Sequence, residues 1–156
     1  DVCSSDLDKM FIDIYRETDN PMPSYKNDGD AGMDIRSNED TIIRAFNWIV
    51  IGTGLFIIIP WGYEGQVRSR SGLAAKFGLC VLNSPGTIDS GYRDELKIIM
   101  MNHNHLPYEV KKGDRIAQLV IKPIIQPELT NISLAQHREK SETDNRGGGL
   151  GSTGVK

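Results

Sequence analysis

Cysteine is scarce in this chain: two in 156 residues, Cys3 and Cys80, with no Cys-x-x-Cys pair. That excludes a zinc ribbon or a disulfide scaffold and fits a reducing compartment. Staples are not needed, because a domain of this size buries roughly 68–70% of the surface its unfolded chain exposes. No apolar run approaches the roughly 20 residues of a membrane span; Leu55-Phe-Ile-Ile-Ile59 stops at Pro60. No signal peptide is recognisable, so the sequon Asn131-Ile-Ser133 is not expected to carry a glycan. A net charge of −3 leaves no broad basic footprint for stable nucleic-acid binding. A few placed cations can still hold a small anion.

Asp1-Val-Cys-Ser-Ser-Asp-Leu7 reads as the translation of a common sequencing-adapter oligonucleotide. The expectation is that native protein begins near Met10, with residues 1–9 a non-native or disordered segment.

Short β-rich runs punctuated by Gly, Pro and Asn fill most of the rest. Phe11-Ile-Asp-Ile-Tyr15 and Tyr63-Glu-Gly-Gln-Val67 alternate as strands do, and Leu55-Phe-Ile-Ile-Ile59 reads as a buried strand. Residues 96–101, 108–111 and 115–121 are further strands, with Lys112-Gly-Asp114 as a turn. Only Ser71-Gly-Leu-Ala-Ala-Lys76 reads as a helix. Many short strands favour an all-β sandwich or jelly-roll-like barrel over residues 10–135. From about Ser133 the chain turns polar and then Gly-rich, as Arg146-Gly-Gly-Gly-Leu-Gly-Ser-Thr-Gly154. Residues 136–156 cannot offset their ordering cost by apolar burial and read as a flexible arm or a plain tail.

Four internal clusters are too polar and Gly-rich for ordinary strand duty: Gly29-Asp-Ala-Gly-Met-Asp34, Arg68-Ser-Arg-Ser-Gly-Leu-Ala74, Asn83-Ser-Pro-Gly-Thr-Ile-Asp-Ser-Gly-Tyr-Arg93 and Gly113-Asp-Arg-Ile-Ala-Gln118. The arm supplies a fifth. Ser71 and Gly72 stand where a turn opens a helix, so backbone N–H groups there can hold phosphate oxygens, or Ser71 can be a plain N-cap. Arg68 or Arg70 can add a charged fork. Asp89 lies at a strand–turn junction, as an Asx-turn residue or a reactive carboxylate. Tyr92 is a core aromatic or a ligand contact. Gly149-x-Gly151-x-x-Gly154 formally matches a dinucleotide fingerprint, but no strand precedes it and no helix can follow. His103, His105 and His137 have no metal-ligand spacing.

In this order, the five clusters closely resemble the five motifs of the all-β, trimeric deoxyuridine triphosphatase family, from about Asp30 to Gly154. The resemblance implies a distorted jelly roll of β-clip type with one short helix and a mobile C-terminal arm. It implies a homotrimer whose active sites are shared between subunits, in the cytoplasm, or the host cytoplasm if phage-encoded. The implied reaction is hydrolysis of dUTP to dUMP and pyrophosphate, which limits uracil in DNA and supplies dUMP for dTMP synthesis. Carried over residue by residue, Asp89 activates the attacking water as general base, and Tyr92 packs on the deoxyribose face and excludes a 2′-hydroxyl. Asn83, Ile88 and the hairpin backbone toward Met100 meet the uracil; Arg70, Ser71, Gly72 and Gln118 hold the phosphates. Asp34 supports Mg²⁺ through its water shell, and Arg146, Leu150, Ser152 and Thr153 close over the ligand from the arm.

Some positions depart from the family pattern. Ser69 stands where proline is common and Asp94 where glycine is. Leu150 replaces the aromatic that covers the uracil, in an arm motif one residue short. Two alternatives share the fold: a dCTP deaminase-like enzyme, and a non-catalytic partner-binding protein. The first needs a catalytic Glu where alignment on Asp89-Ser-Gly-Tyr92 places Ile99.

Overall fold

Strand follows strand because β-branched residues alternate with polar ones over short stretches that Gly and Pro end. The computed structural model describes residues 10–149 and Gly154. Expectations for residues 1–9, and for Leu150, Ser152 and Thr153, lie outside those described residues. The chain divides into two units, at residues 1–125 and 126–156.

In chain order the first unit holds β1 (Asp13–Arg16), β2 (Met33–Arg36), β3 (Thr41–Ile43), β4 (Trp48–Gly52), β5 (Leu55–Ile58) and β6 (Tyr63–Arg68). Helix α1 (Ser71–Phe77) follows, then β7 (Leu79–Val81), β8 (Gly86–Ile88), β9 (Lys97–Asn102), β10 (Tyr108–Val110) and β11 (Arg115–Pro123). Two larger sheets run β2-β11-β6-β8 and β4-β9-β7, and β1-β5 and β10-β3 form pairs. All these pairings are antiparallel. Ile35, Ile43, Ile51, Leu55, Ile98 and Leu119 from different sheets share one buried core. This is the expected all-β architecture. The strands β2, β3, β4 and β7 were not expected from the sequence, and β8 was implied only by the strand–turn junction at Asp89.

Two features of this frame position chemistry. First, β11 slips register between Arg115 and Ala117. Residues three apart on a regular strand point to opposite faces. The extra residue lets Arg115 and Gln118 line the same pocket. Second, β6 leads directly into α1, whose last turn closes on Gly78 in the left-handed region at φ 66°, with the Gly78 N–H returned to Ala74 and Leu73 carbonyls.

The second unit holds a helix that was not expected, since only residues 71–76 read as one: α2 (Leu134–Thr143). Its ends are satisfied locally. Ser133 Oγ accepts from the Gln136 N–H at 3.3 Å, and Gln136 Oε1 accepts from the Ser133 N–H at 2.9 Å. The helix buries no residue, so the capping box, not apolar burial, explains it. Among the described residues, no helix is long and apolar enough to cross a membrane.

Candidate active site

The pocket at the start of α1 measures about 420 Å³ and is lined by Lys26, Asp30, Gly32, Asp34, Arg70, Ser71, Gly72, Arg115 and Gln118, among others. Three sequence clusters, far apart along the chain, meet here because β2 and β6 flank β11. Gln118 faces Asp34 on one side and Arg68 on the other.

Asp34 organises the cations. Its Oδ1 accepts from Arg70 Nε at 3.1 Å and its Oδ2 from Arg115 Nη1 at 3.4 Å. Arg70 also donates through Nη1 to the Arg115 carbonyl at 3.2 Å. These contacts use only part of each guanidinium, which has five N–H donors, so both retain donors for an anion. Gln118 Nε2 donates to the Ser69 carbonyl at 2.9 Å, and Ser69 Oγ accepts from the Val81 N–H at 2.9 Å. The β6–α1 corner is thereby fixed from both sides.

The N-cap of α1 is Arg70, extended and without a side-chain cap, so Ser71 is the first helical residue and not the cap. Leu73 and Ala74 N–H groups both return to the Arg70 carbonyl at 3.1 Å. Those of Ser71 and Gly72 precede the first intrahelical bonds and remain available at the pocket wall. Gly72 has ordinary backbone geometry and nothing within 4 Å of a would-be Cβ. Neither strain nor packing demands glycine there, and its bare Cα leaves the pocket wall open to close approach.

The third cluster lies elsewhere. Asn83 lies in the turn between β7 and β8, with its Nδ2 3.1 Å from a would-be Cβ on Gly86, the first residue of β8. Ile88 is half-buried opposite Gly65, and exposed Asp89 follows it. The Tyr92 N–H donates to the Asp89 carbonyl at 3.1 Å, and Tyr92 Oη donates to the Glu95 carbonyl at 2.7 Å. Burial, with Asp94 and Glu95 close by, pushes the Tyr92 phenol above its ordinary value.

Because β6 and β8 are antiparallel, Asp89 leaves that pair near Glu64 whereas the pocket lies beyond Arg68. Four strand residues separate these ends, roughly 13 Å at ~3.3 Å each. Within the single chain, Asp89 and Tyr92 therefore stand apart from the Arg70 pocket. Arg146, in the second unit, is exposed.

Met100 is a correction. It sits in the central strand β9, opposite both Ile49 and Val81, with 1% of its surface exposed. It is a core residue, and neither its side chain nor its ladder position offers a contact to a base. Lys26 and Arg115 are pocket residues that sequence reasoning passed over. Arg115 lay inside the fourth cluster, and its signal was a cation three residues before Gln118. Lys26 carried none.

A family model for dUTPase matches residues 18–154. The chain belongs to the dUTPase family. It is 48% identical over 133 residues to the deoxyuridine 5'-triphosphate nucleotidohydrolase of Nautilia profundicola, covering 85% of this chain and 90% of that one. A mutant Staphylococcus bacteriophage 80alpha dUTPase with dUpNHpp has a similar structure, with a TM-score of 0.80 at 30% identity over 94% of this chain and all of that one. So does a mutant dUTPase from phage phi11 of S. aureus, described for coordination of a structural Mg(II) ion, with a TM-score of 0.73 at 30% identity over 79% of this chain and 97% of that one.

Proposed function

We propose that this dUTPase-family chain hydrolyses dUTP to dUMP and pyrophosphate, as its relatives' names describe. The observation that carries the reading is the Asp34–Arg70–Arg115 arrangement beside the open N–H groups of Ser71 and Gly72. Two guanidiniums held by one carboxylate, with donors to spare, suit a polyphosphate chain. Gln118 completes the wall.

The missing half of the chemistry is the base, the sugar-facing ring and the nucleobase contacts. Asp89, Tyr92, Asn83 and Ile88 would supply these from a second protomer, because one protomer holds them at the far end of the β6–β8 pair. The arm, through Arg146, Leu150, Ser152 and Thr153, would come from a third. The reading is of a homotrimer with shared sites, working in the cytoplasm of the cell or of a phage host.

Asp89 accepts the proton of the attacking water as it adds to the α-phosphorus. Arg70 and Arg115 neutralise charge on the leaving pyrophosphate. Tyr92 packs on the deoxyribose face.

Mg²⁺ fits this arrangement through water. Asp34 is 22% exposed, and each of its oxygens keeps a lone pair beyond its guanidinium bond. That is enough to accept from metal-bound waters and too little for a protein cage. When bound, the ion supplies charge neutralisation on the triphosphate oxygens.

Ile99 on β9 can transfer no proton, which disfavours deamination. The test is steady-state hydrolysis of dUTP, dCTP, dTTP and UTP by purified protein with Mg²⁺. Turnover confined to dUTP is expected. Ammonia release from dCTP, or no turnover of dUTP, overturns the reading.

A further inference from the structure

Between the turn at 89–92 and strand β9 stands Glu95, to which the proposed reaction gives no role. It is held more tightly than a loop glutamate requires. Its Oε1 accepts from the N–H groups of Thr53, at 3.1 Å, and Gly54, at 2.9 Å. Oε1 lies 2.9 Å from a would-be Cβ on Gly52, so glycine there makes room for the carboxylate. Its own carbonyl accepts from Tyr92 Oη. The next residue is tied to the same β4–β5 turn: the Leu96 carbonyl accepts from Thr53 Oγ1, and its N–H donates to the Leu55 carbonyl at 2.7 Å. Thr53 and Leu96 are buried. One residue thus grips the β4–β5 turn with its side chain and Tyr92 with its main chain.

A solvated surface carboxylate would need none of this. A carboxylate that accepts two backbone N–H groups makes charge-assisted bonds. Removing it would leave the N–H of a buried residue, Thr53, unpartnered.

We infer that Glu95 is a positioning residue for sugar selection: by bridging Tyr92 to Thr53 and Gly54, it fixes the wall that rejects a 2′-hydroxyl. The inference rests on the reading of Tyr92 as the sugar-facing ring. Rejection of a single added hydroxyl depends on a wall that does not give. A ring attached only through its Cα–Cβ bond can turn aside. A ring whose Oη is also held, by a carbonyl anchored to a buried turn, has both ends fixed. Discrimination of this kind comes from an unfavourable contact with the wrong ligand, and small displacements of the wall remove it.

The experiment compares kcat/KM for dUTP and UTP in the full chain, with melting temperature and oligomer size measured alongside. Glu95→Ala should fold and should raise relative use of UTP about tenfold, a shift of ~1.4 kcal/mol in discrimination. Glu95→Gln keeps an oxygen facing both N–H groups and should restore most of the rejection. If Glu95→Ala does not fold, Glu95→Asp applies the same criterion, since its carboxylate is one methylene short of Thr53 and Gly54. A folded Glu95→Ala or Glu95→Asp protein with the parental UTP-to-dUTP ratio overturns the inference. Tyr92→Ala separates the two levels. If it relaxes rejection while the Glu95 variants do not, only the clamp fails. If it leaves rejection intact, the sugar-face reading and the clamp fall together.

Discussion

A methyl group added at Gly32 probes how the pocket wall is held. The Cβ of Gly32→Ala would stand 2.2 Å from Gln118 Oε1 and 3.1 Å from its Cδ. Backbone strain is not the obstacle, since Gly32 has no positive φ. The Gln118 amide must therefore turn away and release the Ser69 carbonyl, now 2.9 Å from Nε2. One neutral hydrogen bond is worth about 1 kcal/mol, which lowers the melting temperature by roughly 2–4 °C in a chain of this length. Binding should suffer more than stability, because the displaced amide lines the pocket assigned to the phosphates. About a tenfold loss of affinity is expected, or ~1.4 kcal/mol. Calorimetric titration with a non-hydrolysable dUTP analogue measures it. The Gln118→Ala background provides the control, since contacting residues couple. There the methyl has nothing to displace, and Gly32→Ala should cost little. Equal losses with and without the Gln118 side chain would refute the reasoning.

Asp89→Asn should keep oligomer size and analogue affinity while kcat falls about 10²–10⁴-fold; near-parental turnover in a steady-state assay removes Asp89 from the mechanism. Deletion from Arg146 onward should leave the melting transition intact, because among the described residues the buried apolar ones lie between Ile35 and Val120, yet nearly abolish turnover. Loss of the cooperative transition would make the arm structural. Stability should fall as pH rises above ~10. Burial raises the phenols of Tyr92, with Asp94 and Glu95, and of Tyr108, with Asp114 against an opposing Arg70. The folded chain then keeps protons that the unfolded chain releases, so stability is full below the unfolded value and declines beyond it. Melting temperatures from pH 9 to 11 check this, and Tyr92→Phe should flatten the decline; an unchanged slope would exclude Tyr92 as a source.

Strands with one polar and one apolar face were legible in the sequence. Those at 63–68 and 115–123 were read close to their true bounds, and helix α1 was short by one residue. Strand β4 was not, because Trp48, Ile49, Val50 and Ile51 give no alternation although only Ile51 among them is fully buried. Strand β2 begins inside the cluster at 29–34, which reads as too polar and Gly-rich for a strand. Met100 shows the reverse error. A period of two through Ile98, Met100 and Asn102, all buried, marks the core face of β9, and alignment to family motifs overrode it. The cluster at the start of α1 was legible because its residues are chemically unusual at their positions. Its partner Arg115 needed the bulge, and no sequence pattern announces a one-residue slip in register.

The capping-box helix has a consequence for length. Ten residues wound as α2 span ~15 Å; the same ten drawn out span ~33 Å. With no buried face to hold it, a helix this short lies near the balance between wound and unwound. The stretch leading to Arg146 is thus a tether with two settings that differ little in free energy, and Ser133 and Gln136 bias it toward the shorter. Substituting either residue would lengthen the average leash on the last motif without touching a single residue of that motif.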